Sequence, residues 1–241
     1  MKKLAIVFFA LITLTTCKEK TVVSETKTPK TVQKDTSWIV LFDGSSYNNW
    51  RGYLSDEMYP EWTIKDDAMM FTPGKEGGKN IITKNNYTNF VFSLEWKISE
   101  GGNSGIFWGV FEDKKFTEAY QTGPEIQVLD NERHPDAKAN PKYHQAGALY
   151  DMAQPVHDVC KPAGKWNSVL LKINHNTNKG SVTLNGTLIV EFPVEGKEWD
   201  EMVANSKFKD WEGFGKYHKG HIGLQDHGNK VWYRNIKIKE L

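Results

Sequence analysis

The sequence predicts an all-β fold, a single antiparallel β-sandwich. Three observations carry this. Apolar residues recur at alternate positions along much of the chain, turn-forming pairs such as Asn185-Gly186 separate those stretches, and no long segment shows the period of an amphipathic helix. At 241 residues, 39% of them apolar and 12% aromatic, the chain is long enough and apolar enough to bury one large core.

The elements follow in chain order. Trp38 to Phe42 is an apolar run. Trp62 to Phe71 reads as a hairpin with Asp66-Asp67 in its turn, and Asn80 to Thr83 as a short strand. The clearest alternation runs from Asn89 to Ser99. There Phe90, Phe92, Leu94, Trp96 and Ile98 share one face, while Ser93, Glu95 and Lys97 take the other. Gly101-Gly102 ends that strand, and Ser104 to Phe111 supplies its neighbour. Further strands are expected at 125–129, 147–150, 166–174, 181–184, 187–192, 221–225 and 231–239. Asn185-Gly186 makes the strongest hairpin signal, and a slip of parity near Arg234-Asn235 predicts a bulge. Long loops over 112–123, 131–146 and 193–219 are where function is expected. The last carries Trp199, Trp211, Phe214 and Tyr217, which either cap a site or pack over a sheet edge.

The first residues read as an address. Lys2 and Lys3 precede an apolar run from Leu4 to Leu14, shorter than the ~20 residues that span a bilayer. Leu14-Thr15-Thr16-Cys17 resembles a lipobox, so residues 1–16 are expected to be a lipoprotein signal peptide and Cys17 a lipidated N-terminus. Residues 17–37 are polar and rich in Thr and Lys, a tether ahead of a domain over 38–241. The expectation is an exported lipoprotein held at the outer membrane, periplasmic or on the cell surface, with the lipid as its one membrane contact. Cys160, the second of two cysteines, is then left without an intrachain disulfide partner and reads as structural.

Charge excludes one class of partner. There are 31 Lys and Arg against 30 Asp and Glu, interspersed along the chain, so no basic footprint for nucleic acid exists. No glycine-rich dinucleotide motif follows any expected strand.

An ordered set of short motifs runs through the domain. Leu41-Phe42-Asp43-Gly44 is followed by Asn49-Trp50, then Asn103-Ser104-Gly105-Ile106 and Glu125-Ile126-Gln127-Val128-Leu129-Asp130-Asn131. After these come His134-Pro135-Asp136-Ala137, Gly147-Ala148-Leu149-Tyr150, Pro162-Ala163-Gly164-Lys165-Trp166-Asn167 and Leu184-Asn185-Gly186. Ile222-Gly223-Leu224-Gln225-Asp226-His227-Gly228 and Arg234-Asn235-Ile236 end the set. In this order they resemble the 3-keto-disaccharide hydrolase domain family, over residues 38–241. The resemblance implies a concanavalin A-like jelly roll, two curved antiparallel sheets with a carbohydrate ligand on the concave face. It also implies action on sugars oxidised at C3, and a separate sugar 3-oxidoreductase to make them.

Within that frame the residues suggest a site. Glu125 and Gln127 are two positions apart on one strand and share a face opposite Ile126 and Val128. Asp130 falls with Ile126 by alternation, and joins Glu125 only if the strand's end re-aims it. The run resembles the paired-carboxylate strand of laminarinase-type glucanases, but Gln127 replaces an acid, which counts against a standard retaining pair. A 3-keto sugar removes the need for that pair. The ketone acidifies the C2 hydrogen, so one base, one acid and a donor near the C3 oxygen suffice for elimination or net hydrolysis. Glu125 and His144 are the leading base or acid, with Gln127 and Asp130 beside them. Arg51, Asn103, His134 and His227 are candidates to hold the sugar. Trp108 is either a stacking platform or, since it alternates with Ile106, part of the core. No metal motif is present. A long-range site for calcium or a transition metal, built from Glu125, Asp130 and a His, stays open. The competing readings are a non-catalytic carbohydrate-binding module and a conventional glycoside hydrolase.

Overall fold

The computed structural model describes residues 37–241, together with Met1. The expected leader, the lipidation site Cys17 and the tether up to residue 36 lie outside the described residues. No helix among the described residues is long and apolar enough to cross a membrane.

Two antiparallel sheets form the domain, as the alternation predicts. The larger runs β3 (Trp62–Lys65), β4 (Ala68–Phe71), β13 (Val231–Glu240), β6 (Phe90–Ile98), β9 (Asn167–Asn174), β10 (Lys179–Leu184) and β11 (Thr187–Phe192), with β1 (Ile39–Phe42) also pairing β13. The smaller runs β2 (Trp50–Gly52), β5 (Ile81–Thr83), β12 (His221–Leu224), β7 (Asn103–Val110) and β8 (Glu125–Leu129). Every pairing is antiparallel. This is the jelly-roll sandwich the resemblance implies.

The core lies between the sheets. Phe90, Phe92, Leu94, Trp96 and Ile98 of β6 meet Ile106, Ile126 and Val128 of β7 and β8. Each large apolar side chain so buried contributes roughly 1.5–3 kcal/mol. The hairpin turns follow their sequence signals. Asn185 and Gly186 have φ of 50° and 83°, and Asp66 and Asp67 have 52° and 57°, the doubly left-handed turn that matches strand twist. The bulge falls where parity slips: pairing of β13 with β6 shifts between Arg234 and Lys237, with Asn235 at φ 53°.

Several elements differ from expectation, and β7, expected beside β6, lies instead in the smaller sheet between β12 and β8. Residues 147–150 are no strand; Gly147 turns at φ 84°, and Leu149 makes isolated bridges to Ile126 and Ala153. β2 was not expected, because three residues are too few for alternation to register. The 193–219 loop contains a helix, α2 (Gly196–Ala204), and the 131–146 loop a single turn, α1 (Asp136–Ala139). α2 turns Trp199 inward with Met202 and Val203 partly buried beside it, an apolar face of a single turn that is too short to stand out within a long loop.

Trp96→Ala removes a side chain 1% exposed at the centre of this core. It is expected to cost about 3–5 kcal/mol of unfolding free energy, read as a lower urea midpoint with an unchanged slope.

Candidate functional site

A cleft of about 370 Å³ opens on the face of the smaller sheet turned away from the larger one. Its floor comes from β7 and β8. Glu125 and Gln127 point into it from β8, Asn103 from β7, and Gln225 from the end of β12. Ile126 and Val128 point the other way, into the core, as alternation requires.

Glu125 fits there because of Gly105. Gly105 pairs with Gln127 on the adjacent strand, and a Cβ on it would collide with the Glu125 carboxyl. The carboxyl is thus laid over bare backbone at the base of the cleft, with the residue 9% exposed. Gln225 Nε2 is 3.5 Å from its Oε2. Burial pushes its pKa up from 4.5 to about 8; Lys207 opposes that shift and Asp136 adds to it. Two buried acceptors beside it, Asn103 Oδ1 and Gln225 Oε1, have no hydrogen-bond partner among the described residues. Unpaired acceptors in a concave floor suit a hydroxyl-rich ligand, because binding then satisfies them.

The walls come from the long loops. Tyr150 and Lys207 stand on one side, with Lys207 Nζ 4.1 Å from the centre of the Tyr150 ring. Trp211 and Tyr120 stand at the mouth, their ring centres 5.8 Å apart. Glu118 faces in from the 112–123 loop, where burial and Asp226 raise its pKa and Asn80 Nδ2, at 2.5 Å, works against the rise. His227 lines the cleft from the turn after β12, its Nε2 3.5 Å from Asn103 Nδ2.

A second layer holds Tyr150 in place. Its hydroxyl donates to Asp136 Oδ2 at 2.9 Å, and Gln127 Nε2 reaches the same oxygen at 3.5 Å. His144 Nδ1 is 2.7 Å from Asp136 Oδ1, and its Nε2 is 3.0 Å from Asp151 Oδ1. Asp151 Oδ2 in turn accepts the backbone N–H of Lys207 at 2.7 Å. His144 therefore sits behind the wall, stacked on Tyr150 at 4.3 Å, and links the floor to the loop that carries Lys207.

The expected site residues separate accordingly. Glu125, Gln127, Asn103 and His227 come together in the cleft. His134 stands beside it, 6.1 Å from His227 between ring centres, and is tied to the backbone N–H of Asp136. His144, expected as base or acid, does not line the cleft and is held behind its wall by Asp136 and Asp151, and three further candidates lie away from it. Asp130 is 2% exposed and serves the turn after β8, accepting from Gly101 N and Glu132 N, with Arg133 Nη1 at 3.3 Å. A long-range metal site combining it with Glu125 has no basis, since the strand's end does not re-aim it. Arg51 lies on β2, four strand spacings or about 19 Å across the sheet from β8. There it forms a two-pronged ion pair with Glu112, both contacts at 2.7 Å. Trp108 is 3% exposed and packs on Phe192 and Trp199 in the core. Cys160 is a free thiol whose pKa burial pushes up to about 12, far from nucleophilic use at neutral pH.

Lys207, Tyr150, Gln225 and Glu118 escaped the sequence reading as site residues. Gln225 and Tyr150 stood inside matching motifs, which was the one available signal. Lys207 and Glu118 lie in loops with no periodic pattern to place them.

Comparison with known proteins supplies the family. The model of the 3-keto-alpha-glucoside-1,2-lyase-like domain family matches residues 37–239. The chain belongs to that family. A relative from Bacteroides thetaiotaomicron, named 3-keto-disaccharide hydrolase, is 38% identical over 232 residues, covering 85% of this chain and 78% of its own. Two solved structures from Parabacteroides distasonis, described as candidate glycosyl hydrolases, are each 27% identical. One covers 85% of this chain and 94% of its own with a TM-score of 0.78, the other 85% and 99% with a TM-score of 0.63. A lyase-like family is consistent with a floor that offers one carboxylate where standard glycosidases place two.

The raised pKa of Glu125 has a thermodynamic signature. The folded state keeps this proton above the pH at which the unfolded chain loses it. Stability from this group is full below about pH 4.5 and is lost as pH rises through about 8. Glu125→Gln is therefore expected to gain on the parent protein across that window, by a few kcal/mol at most. Urea unfolding at pH 5 and pH 9 checks it, and a constant difference between the two proteins would contradict the shift.

Proposed function

We propose that this protein cleaves the glycosidic bond of 3-keto-glycosides, 3-keto-disaccharides among them, by elimination followed by addition of water. The observation that carries the reading is the single buried carboxyl of Glu125, with a pKa near the working pH, on the floor of a cleft with unpaired acceptors. Family membership and the named Bacteroides relative supply the substrate class.

The chemistry follows from the residues. Ionised Glu125 takes the proton from C2, and the C–H electron pair becomes the C2=C3 bond of an enolate whose charge rests on the C3 oxygen. Lys207, the cation at the wall, and the amide of Gln127 stabilise that charge. The enolate re-forms the ketone, makes a C1=C2 bond and expels the glycosidic oxygen, which takes a proton. Glu118 and His227 are two further titratable groups lining the cleft, and one of them supplies that proton. Water then adds at C1 and a proton returns to C2, which gives net hydrolysis; release before addition gives a lyase product. Asn103 and Gln225 hold sugar hydroxyls, and Trp211 with Tyr120 offers the leaving sugar an aromatic edge. His144 acts through Asp136 and Asp151 as a positioning residue.

In this reading the ketone is made elsewhere, by a separate oxidoreductase, and the protein works outside the cytoplasm, lipid-held through Cys17. A standard two-carboxylate glycosidase fits less well, because Gln127 stands where the second acid of such a strand would be.

The test is proton NMR of the protein with a 3-keto-disaccharide and with its unoxidised parent, in D₂O. Cleavage of the keto sugar alone, with loss of the C2 proton signal, is expected. Glu125→Gln should lower kcat by about 10²–10⁴-fold and stop C2 exchange. Glu118→Gln or His227→Asn should slow cleavage while C2 exchange persists. Binding of both sugars without turnover of either would instead make the protein a carbohydrate-binding module.

A further inference from the structure

Away from the cleft, three side chains from separate segments converge. His175 opens the short turn after β9, Glu195 immediately precedes α2, and His218 lies in the loop ahead of β12. Both imidazoles approach one carboxylate oxygen. His175 Nδ1 is 3.3 Å, and His218 Nε2 3.4 Å, from Glu195 Oε2. Among the described residues, these three form the one group of His, Cys, Asp and Glu whose donor atoms all lie within 4.8 Å of one another. We propose that His175, Glu195 and His218 form a binding site for a divalent transition-metal ion of the zinc class.

Geometry and donor chemistry both point there. Tetrahedral zinc with bonds of about 2.0–2.1 Å places neighbouring ligand atoms about 3.3–3.4 Å apart. Two of the three edges already have that length. Two imidazoles and one carboxylate suit zinc and its neighbours in the first transition row; calcium and magnesium want oxygen shells. The two rings are stacked with centres 4.2 Å apart, so both present a nitrogen to the same carboxylate oxygen.

Two of the three ligands are pre-positioned. The His175 side chain is 7% exposed, its backbone N–H donates to Asn89 Oδ1 at 2.7 Å, and its ring lies against Trp108. Asn178 Oδ1 accepts the backbone N–H of Glu195 at 3.0 Å. His218 is the adjustable one, with its side chain 54% exposed and room to swing out of the stack. The fourth coordination position is left to water, beside a hollow bordered by Trp199, Lys209 and Lys216.

None of the three ligands lines the cleft, so the ion is a structural clamp and not a reactant. Its placement gives it a specific task. Glu195 and His218 sit at the two ends of the 193–219 segment, and His175 anchors both to β9. That segment holds Lys207 and Trp211, which wall the cleft. Bound metal thus closes the base of the wall. The spacing of 175, 195 and 218 explains why no motif search finds the site.

The experiment is calorimetric titration of the chelator-treated full chain with ZnCl₂, with a thermal melt alongside. One saturable zinc per chain is expected, with a rise in Tm of roughly 5–10 °C at a hundredfold excess over Kd. Cobalt should give the intense visible absorption of tetrahedral coordination. His218→Ala, at an exposed position, should melt like the chelator-treated parent yet lose zinc affinity at least tenfold. Glu195→Gln should do likewise, and His157→Ala should bind as the parent does. No one-to-one binding below about 100 µM zinc, or binding that survives His218→Ala, overturns the proposal and leaves a hydrogen-bonded His–Glu–His stack. Zinc binding is read without substrate, so it stands or falls separately from the 3-keto-glycoside reading.

Discussion

Gly105 and Glu125 stand on neighbouring strands, and the side chain the first lacks is the space the second occupies. The pairing of β7 with β8 fixes that relation, with Gly105 opposite Gln127 and Phe107 opposite Glu125. Because strand side chains alternate, a slip by one residue would turn Glu125 into the core and bring Ile126 to the cleft. The apolar packing of Ile106, Ile126 and Val128 against β6 makes that slip costly. The hydrophobic core thereby fixes the position of a carboxyl it never touches. Desolvation over bare backbone then sets the proton affinity of that carboxyl.

Around this floor the loops do different work. The second layer of Asp136, His144 and Asp151 joins α1, the turn at 143–151 and the segment carrying Lys207 through short polar contacts. Asp136 meets Tyr150, Gln127 and His144 together, so the wall and the floor share one acceptor group. Such a network holds side chains on mobile elements to the tolerance that proton transfer demands. The smaller apolar cluster of Tyr53, Ile82, Phe107, Val110 and Ala119 covers the rest of the sheet face, which confines the polar cleft to one end of it.

The period-two pattern of β6 and β8 made the sandwich, its core and the direction of Glu125 and Gln127 legible, since alternation is a local property. The same pattern placed Asp130 on the opposite face and Trp108 beside Ile106, and the structure keeps both there. What periodicity cannot carry is contact between segments far apart in sequence. Arg51 looked like a sugar-gripping cation until its distance across five strands and its pairing with Glu112 were visible. His144 was legible as a polar residue near a site, but its two carboxylate neighbours were not. α2 hid because its apolar face of Trp199, Met202 and Val203 spans a single turn, and Lys207 because nothing local distinguishes it from other surface lysines.

Lys207 and Trp211, one part of the cleft wall, are delivered in one uninterrupted stretch between β11, at the edge of the larger sheet, and β12 in the middle of the smaller sheet. The floor is encoded elsewhere, in β7 and β8. Floor and wall are therefore separable in heredity. A lineage could exchange or lengthen the 193–219 stretch wholesale, at the slowly growing entropic cost of a longer loop, without disturbing the strand register that positions Glu125. So long as a cation is kept at the place of Lys207, reaction type would be conserved while the choice of leaving sugar drifts, and grafting that stretch between relatives becomes a direct route to new selectivity.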